Sequence, residues 1–109
     1  MTDKIVVLST CGSAEEAEKL ARSLVEQRLA ACVNVMPSVR SYYRWKDAIE
    51  SSDEYLLVIK STRARMAALV ASLEKEHSYE VPEVIAVPVV DGSPNYLTWL
   101  EASLERETD

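Results

Sequence analysis

The run Ala31-Cys32-Val33-Asn34-Val35-Met36-Pro37-Ser38-Val39-Arg40-Ser41-Tyr42-Tyr43-Arg44-Trp45, with its return through Ile49 to Glu54-Tyr55-Leu56-Leu57-Val58-Ile59-Lys60, decides the fold. Both limbs are rich in β-branched and aromatic residues, and the polar step Lys46-Asp47 divides them, so the stretch reads as two long strands joined as a hairpin. Pro37 has no N–H to give a ladder and marks a bulge or break in the first limb. A hairpin reaching from Ala31 to Lys60 overhangs any small sheet, and its unpaired edges invite aggregation unless another chain covers them. A closed oligomer is therefore expected.

Upstream, Lys4 to Thr10 is near-continuously apolar and reads as a central strand. Ser13-Ala14-Glu15-Glu16 forms a capping box for a helix in which Ala17, Leu20, Ala21, Leu24 and Val25 recur at helical spacing as far as Arg28. Downstream, Ser61-Thr62 is expected to cap a second helix whose stripe is Met66, Leu69, Val70 and Leu73, with His77 one turn on and Pro82 beyond its end. Val84 to Val90 reads as a fourth strand, placed at an edge or bulge by Pro88. Ser93-Pro94 opens a last helix with Leu97, Leu100 and Leu104 on its buried face, and the tail from Glu105 to Asp109 is expected to fray. The order β-α-β-β-α-β-α, with right-handed crossovers, predicts an α+β fold of the ferredoxin-like split βαβ type in one domain spanning 1–109.

Composition excludes several classes. At 109 residues there is room for one modest core. The balance of 12 Lys+Arg against 18 Asp+Glu leaves a net charge of −6, which opposes binding to a phosphate backbone. The absence of Phe removes the aromatic sheet motif of the RNA-binding version of this fold. No apolar run approaches the ~20 residues of a membrane span, and the first residues do not form a signal segment, so a cytoplasmic location is expected. Cys11 and Cys32 make no disulfide framework and are read as reduced thiols.

The densest constellation of reactive side chains is His77-Ser78-Tyr79-Glu80-Val81-Pro82-Glu83. His77 reads two ways, as a metal ligand or proton acceptor, or as a helix-end histidine satisfied by a backbone carbonyl. Glu80 and Glu83 are candidates for a cation or an amine, against a solvated loop position. Cys11, where the first strand enters the first helix, is a candidate soft-metal ligand with a stabilised thiolate, against inert packing. Asn34 and Lys60 are candidates for a cleft, and Tyr42, Tyr43 and Trp45 on the hairpin, with Tyr96 and Trp99, read as a contact surface or as ordinary core. No local Cys-X-X-Cys or His-X-X-X-His spacing exists, so a metal site needs distant residues or several chains. There is no Gly-rich phosphate loop or Ser-centred elbow, and the chain is read as non-enzymatic.

Ala30-Ala31-Cys32-Val33-Asn34-Val35, Tyr42-Tyr43-Arg44-Trp45, Lys60-Ser61-Thr62, the His77 to Glu83 block and Asn95-Tyr96-Leu97-Thr98-Trp99-Leu100 together resemble the CutA divalent-cation tolerance family, in order and spacing, from about Ile5 to Leu104. The resemblance implies a tight homotrimer with an outline similar to PII signalling proteins, joined by pairing the long hairpins between chains. It also implies binding of copper and other divalent cations in a response to metal ions, without catalysis. His77 matches the family's histidine and becomes the first metal candidate, with Cys11 as the second. Two departures stand against a three-ligand site: Ser9 occupies a position where some bacterial members have cysteine, and Glu76 one where they have a second histidine. The alternatives are a PII-like small-ligand sensor, with Asn34, Trp45, Lys60, Tyr79, Glu80 and Glu83 lining clefts between subunits, and a scaffold for an unidentified protein partner.

Overall fold

A computed structural model describes residues 1–105; positions 106–109, where most of the expected fraying falls, lie outside the described residues. The elements are β1 (Lys4–Cys11), α1 (Ala14–Glu26), β2 (Cys32–Trp45), β3 (Ala48–Thr62), a 3₁₀ turn (Arg63–Arg65), α2 (Met66–Glu76), β4 (Ile85–Pro88) and α3 (Pro94–Leu104). The strands form one antiparallel sheet in the order β2-β3-β1-β4, as the ferredoxin-like α+β reading requires.

Alternation along the strands divides the sheet into two faces. Ile5, Val7 and Cys11 of β1, with Leu57 and Ile59 of β3, join Leu20 and Leu24 of α1 and Leu69 and Leu73 of α2 in the buried core. The opposite face carries the cross-strand pairs Val6–Val87, Leu8–Ile85, Leu8–Val58 and Thr10–Leu56. It is incompletely covered, with Ile85 and Val87 53% and 48% exposed. Both sit on β4, which is shorter than the Val84 to Val90 expected and ends at Pro88 on a sheet edge, where a missing N–H costs least.

β1 pairs with β3 only from Tyr55 to Thr62. From Ala48 to Glu54, β3 has β2 alone beside it, so the distal hairpin is a two-stranded ribbon projecting from the body. The register slips between Met36 and Val39, with Ser38 at φ 67°, so the bulge signalled by Pro37 is present. At the tip Lys46 and Asp47 have φ values of 50° and 65°, the pattern of a type I′ turn that Asn-Gly fills with least strain.

The helix ends show how far local signals carry. Ser13 accepts the Glu16 amide at 3.1 Å, but the Glu16 side chain turns away from the expected capping box, towards Ser78. α1 ends at Glu26, two residues before Arg28, in a Schellman motif: Arg28 takes φ 57°, its N–H donates to the Val25 carbonyl, and the Leu29 N–H donates to the Leu24 carbonyl. The expected Ser61-Thr62 cap of α2 is corrected. β3 runs through both residues, Ser61 Oγ donates to the Leu29 carbonyl, and the chain enters α2 through the 3₁₀ turn.

Replacing Lys46-Asp47 by Asn-Gly is expected to raise the unfolding free energy by about 1 kcal/mol, read from the urea midpoint at unchanged m-value. The Ser9 hydroxyl lies fully buried without a hydrogen-bond partner among the described residues. Ser9→Ala is therefore expected to stabilise by about 1 kcal/mol on the same measurement, and a loss of stability would show that the hydroxyl is satisfied.

Candidate functional site

The block after α2 is built around His77, the helix C-cap, whose backbone turns extended and tucks the imidazole inward. Its Nε2–H donates to the Thr10 carbonyl at 2.7 Å, and Nδ1 accepts the Tyr79 amide at 3.0 Å. These bonds fix the Nε2–H tautomer and use both ring nitrogens, which is the backbone-satisfied alternative of the two sequence readings. The imidazole and Tyr79 rings are 4.7 Å apart. Tyr79 OH donates to Glu54 Oε2 at 2.8 Å. A Cβ on Gly12 would come within 3.3 Å of that phenol oxygen, so Gly12 keeps the space in which the phenol lies.

Glu16 clamps the other side, accepting the Ser78 N–H at 2.8 Å and the Ser78 hydroxyl at 2.9 Å. Its Oε2 lies 3.6 Å from His77 Nδ1. Burial pushes the Glu16 carboxyl up, but the two Ser78 hydrogen bonds outweigh it and hold the group below its ordinary value. For Tyr79, burial first and then Glu54 push the phenol up, so it remains a donor.

Tyr79, Glu80 and Glu83 line a groove of about 680 Å³ against the ribbon, together with Trp45 near the ribbon tip. Four of the six expected cleft residues thus share one site. Asn34 and Lys60 do not belong to it: the Lys60 ammonium donates to Asn34 Oδ1, and the pair sits on the neighbouring stretch of β2 and β3. The groove also contains Glu50 and Glu54, which sequence reasoning missed. Both lie in β3 at i and i+4, a spacing that places them on one strand face. That spacing was the available signal.

Cys11 is 0% exposed inside the core, and burial pushes its thiol up. The expected thiolate is corrected: β1 continues through Cys11 and carries the sulfur beneath the helices instead of leaving it at the mouth of α1. Among the described residues no group of three His, Cys, Asp or Glu side chains is placed to hold a metal ion. The donors of a single chain therefore do not fit a preformed copper centre at His77 and Cys11.

The sequence profile described as CutA1 divalent ion tolerance protein matches residues 5–103, nearly all of the fold just described. The chain belongs to this family. It is 42% identical over 104 residues to the divalent-cation tolerance protein CutA of Pectobacterium atrosepticum, a match covering 95% of this chain and 94% of that protein. It is 43% identical over 99 residues to the chloroplastic protein CutA of Arabidopsis thaliana, covering 91% of this chain and 54% of the relative, so it spans about half that protein's length. The crystal structure of CutA from Xylella fastidiosa superposes with a TM-score of 0.93 at 40% identity, covering 95% of this chain and all of the other. CutA relatives are named for tolerance of divalent cations, which is not the name of an enzyme.

The lowered Glu16 carboxyl has a testable sign. Its contribution to stability is present above its ordinary value near 4.5 and is lost as pH falls through the lower folded value. Glu16→Gln is expected to lower stability at neutral pH and to flatten the acid limb of the unfolding curve below about pH 5, measured by urea titration across pH. An unchanged acid limb would show that the Ser78 clamp carries no linkage.

Proposed function

We propose that this CutA family chain acts in divalent-cation tolerance as a non-catalytic homotrimer in the cytoplasm, taking up copper and other divalent cations reversibly at sites completed between subunits. The observation that carries this reading is the projecting ribbon from Val39 to Glu54, beside which no third strand pairs among the described residues. Its tip exposes Tyr42 at 70% and Ile49 at 65%, and the sheet face with Ile85 and Val87 is also open. Ribbon and body are different surfaces. Contacts between them are head-to-tail, and a head-to-tail contact that closes gives a ring. Three is the ring size implied by the family resemblance.

Metal uptake between subunits follows from the donor count. A metal ion that takes His77 Nδ1, 3.6 Å from Glu16 Oε2, has to displace the Tyr79 amide from its lone pair, and no third donor of the same chain is placed there among the described residues, so further donors have to come from a neighbour. Copper leads because imidazole and carboxylate sites favour it over the other divalent first-row ions. The non-catalytic reading rests on the same geometry: the buried Cys11 thiol is not activated, and both His77 nitrogens are engaged. A second reading, a small-ligand sensor, is favoured by the groove between Trp45 and Tyr79.

Native mass spectrometry of chelator-stripped protein, titrated with Cu(II), tests the proposal. The expected result is a trimer that gains copper, together with dissociation of the Tyr42→Asp/Ile49→Asp variant to monomer and loss of its copper uptake. A monomeric wild type, or a monomeric variant that binds copper as well as the wild type, would overturn it.

A further inference from the structure

We propose that His77 and Tyr79 form a stay across a hinge at the root of the ribbon and fix the direction in which the ribbon leaves the body; that the fixed ribbon is presented to other copies of the chain rests on the trimeric reading above. The pairing of β1 with β3 stops at Tyr55, so Glu54, the next residue towards the tip, has β2 alone beside it. Directly across from Glu54 stands Val39, the first β2 residue after the bulge. Between Met36 and Val39 the ladder is broken by Pro37, which has no N–H, and by Ser38 at φ 67°. The hairpin thus loses its third strand and part of its ladder at one level, and a two-stranded ribbon has little of its own with which to hold a direction.

The stay crosses at that level. Tyr79 OH donates to Glu54 Oε2, and among the described residues this is the only side-chain hydrogen bond that joins residues 39–54 to the rest of the chain; the Arg40–Asp53 pair lies within the ribbon. Its acceptor is a carboxylate that is only 7% exposed, so water competes weakly for it. Tyr79 is held in turn from the body: its N–H donates to His77 Nδ1, and His77 Nε2–H donates to the carbonyl of Thr10, the penultimate residue of β1. The path from Thr10 through His77 and Tyr79 to Glu54 therefore begins where β1 ends and finishes where the ribbon begins. A ribbon whose direction is set beforehand loses less freedom when it docks on another copy, so the stay favours assembly without itself touching the neighbour.

The test is the concentration at which the intact assembly is half dissociated, read by sedimentation across a dilution series in urea below the unfolding transition, with hydrogen exchange of residues 39–54 recorded in parallel. Tyr79→Phe, which keeps the ring and removes the donor, is expected to raise that concentration about tenfold and to speed exchange in the ribbon. Glu54→Gln, whose side-chain carbonyl still accepts the phenol, stays close to the wild type, and Tyr79→Phe/Glu54→Gln goes no further than Tyr79→Phe alone. Ile59→Val, which thins the core away from the stay, leaves both readings unaltered. An equal effect in Ile59→Val would reduce the result to lost stability and overturn the proposal, as would wild-type behaviour of Tyr79→Phe. A monomeric wild type would overturn the trimeric reading; ribbon exchange in that monomer then decides the stay, which stands if Tyr79→Phe speeds exchange and falls if it does not.

Discussion

The pairing of β1 with β3 is the constraint on which the rest of this structure depends. β1 is eight residues long and β3 fifteen, so a single central strand cannot flank its neighbour along its whole length. Where the two overlap, alternation delivers Ile5, Val7, Leu57 and Ile59 to a core closed by α1 and α2. Where they do not, the hairpin continues with no third strand beside it among the described residues. The body is thus stabilised in the usual way of a small α+β domain, by burying one sheet face, while the other face and the ribbon keep apolar groups in contact with solvent.

The same overlap sets the chemistry. Thr10, near the end of β1, offers its carbonyl to His77, and Glu54, the first β3 residue short of the β1 pairing, receives the Tyr79 phenol. The site therefore forms at the junction between body and ribbon. His77 acts on it through geometry: its ring holds the Tyr79 amide, and Tyr79 in turn holds Glu54 at the groove wall. A buried imidazole with both nitrogens engaged serves as a positioning residue, which explains how a histidine that looks like a metal ligand in sequence is committed to structure within one chain.

Much of the fold was legible because its signals are local. The long hairpin announces itself in β-branched and aromatic residues, Pro37 in the bulge, Pro88 in the edge strand, and Ser13 and Ser93 in two helix starts, each of which acts within a few residues of itself. The failures came where distant chain segments compete. Ser61 and Thr62 have capping chemistry, yet the pull of β1 keeps them in the strand. Glu16 has the spacing for a capping box, yet Ser78, 62 residues away, offers two donors. Cys11 sits before a helix, yet strand alternation decides which way its sulfur points. The candidate site divided in the same manner: Tyr79, Glu80 and Glu83 are neighbours in sequence and stay together, whereas Asn34 and Lys60 go to another part of the sheet, and Glu50 and Glu54 enter the groove only through the third dimension.

The ribbon also has a temporal consequence. Its contacts join residues close in sequence, whereas β1 meets β4 across roughly eighty residues, so the ribbon has low contact order and the sheet edge high. During synthesis the hairpin is complete once β3 has emerged, before α2, β4 or α3 exist to finish the body. A nascent chain therefore displays its exposed ribbon, with Tyr42 and Ile49, before its own core has closed.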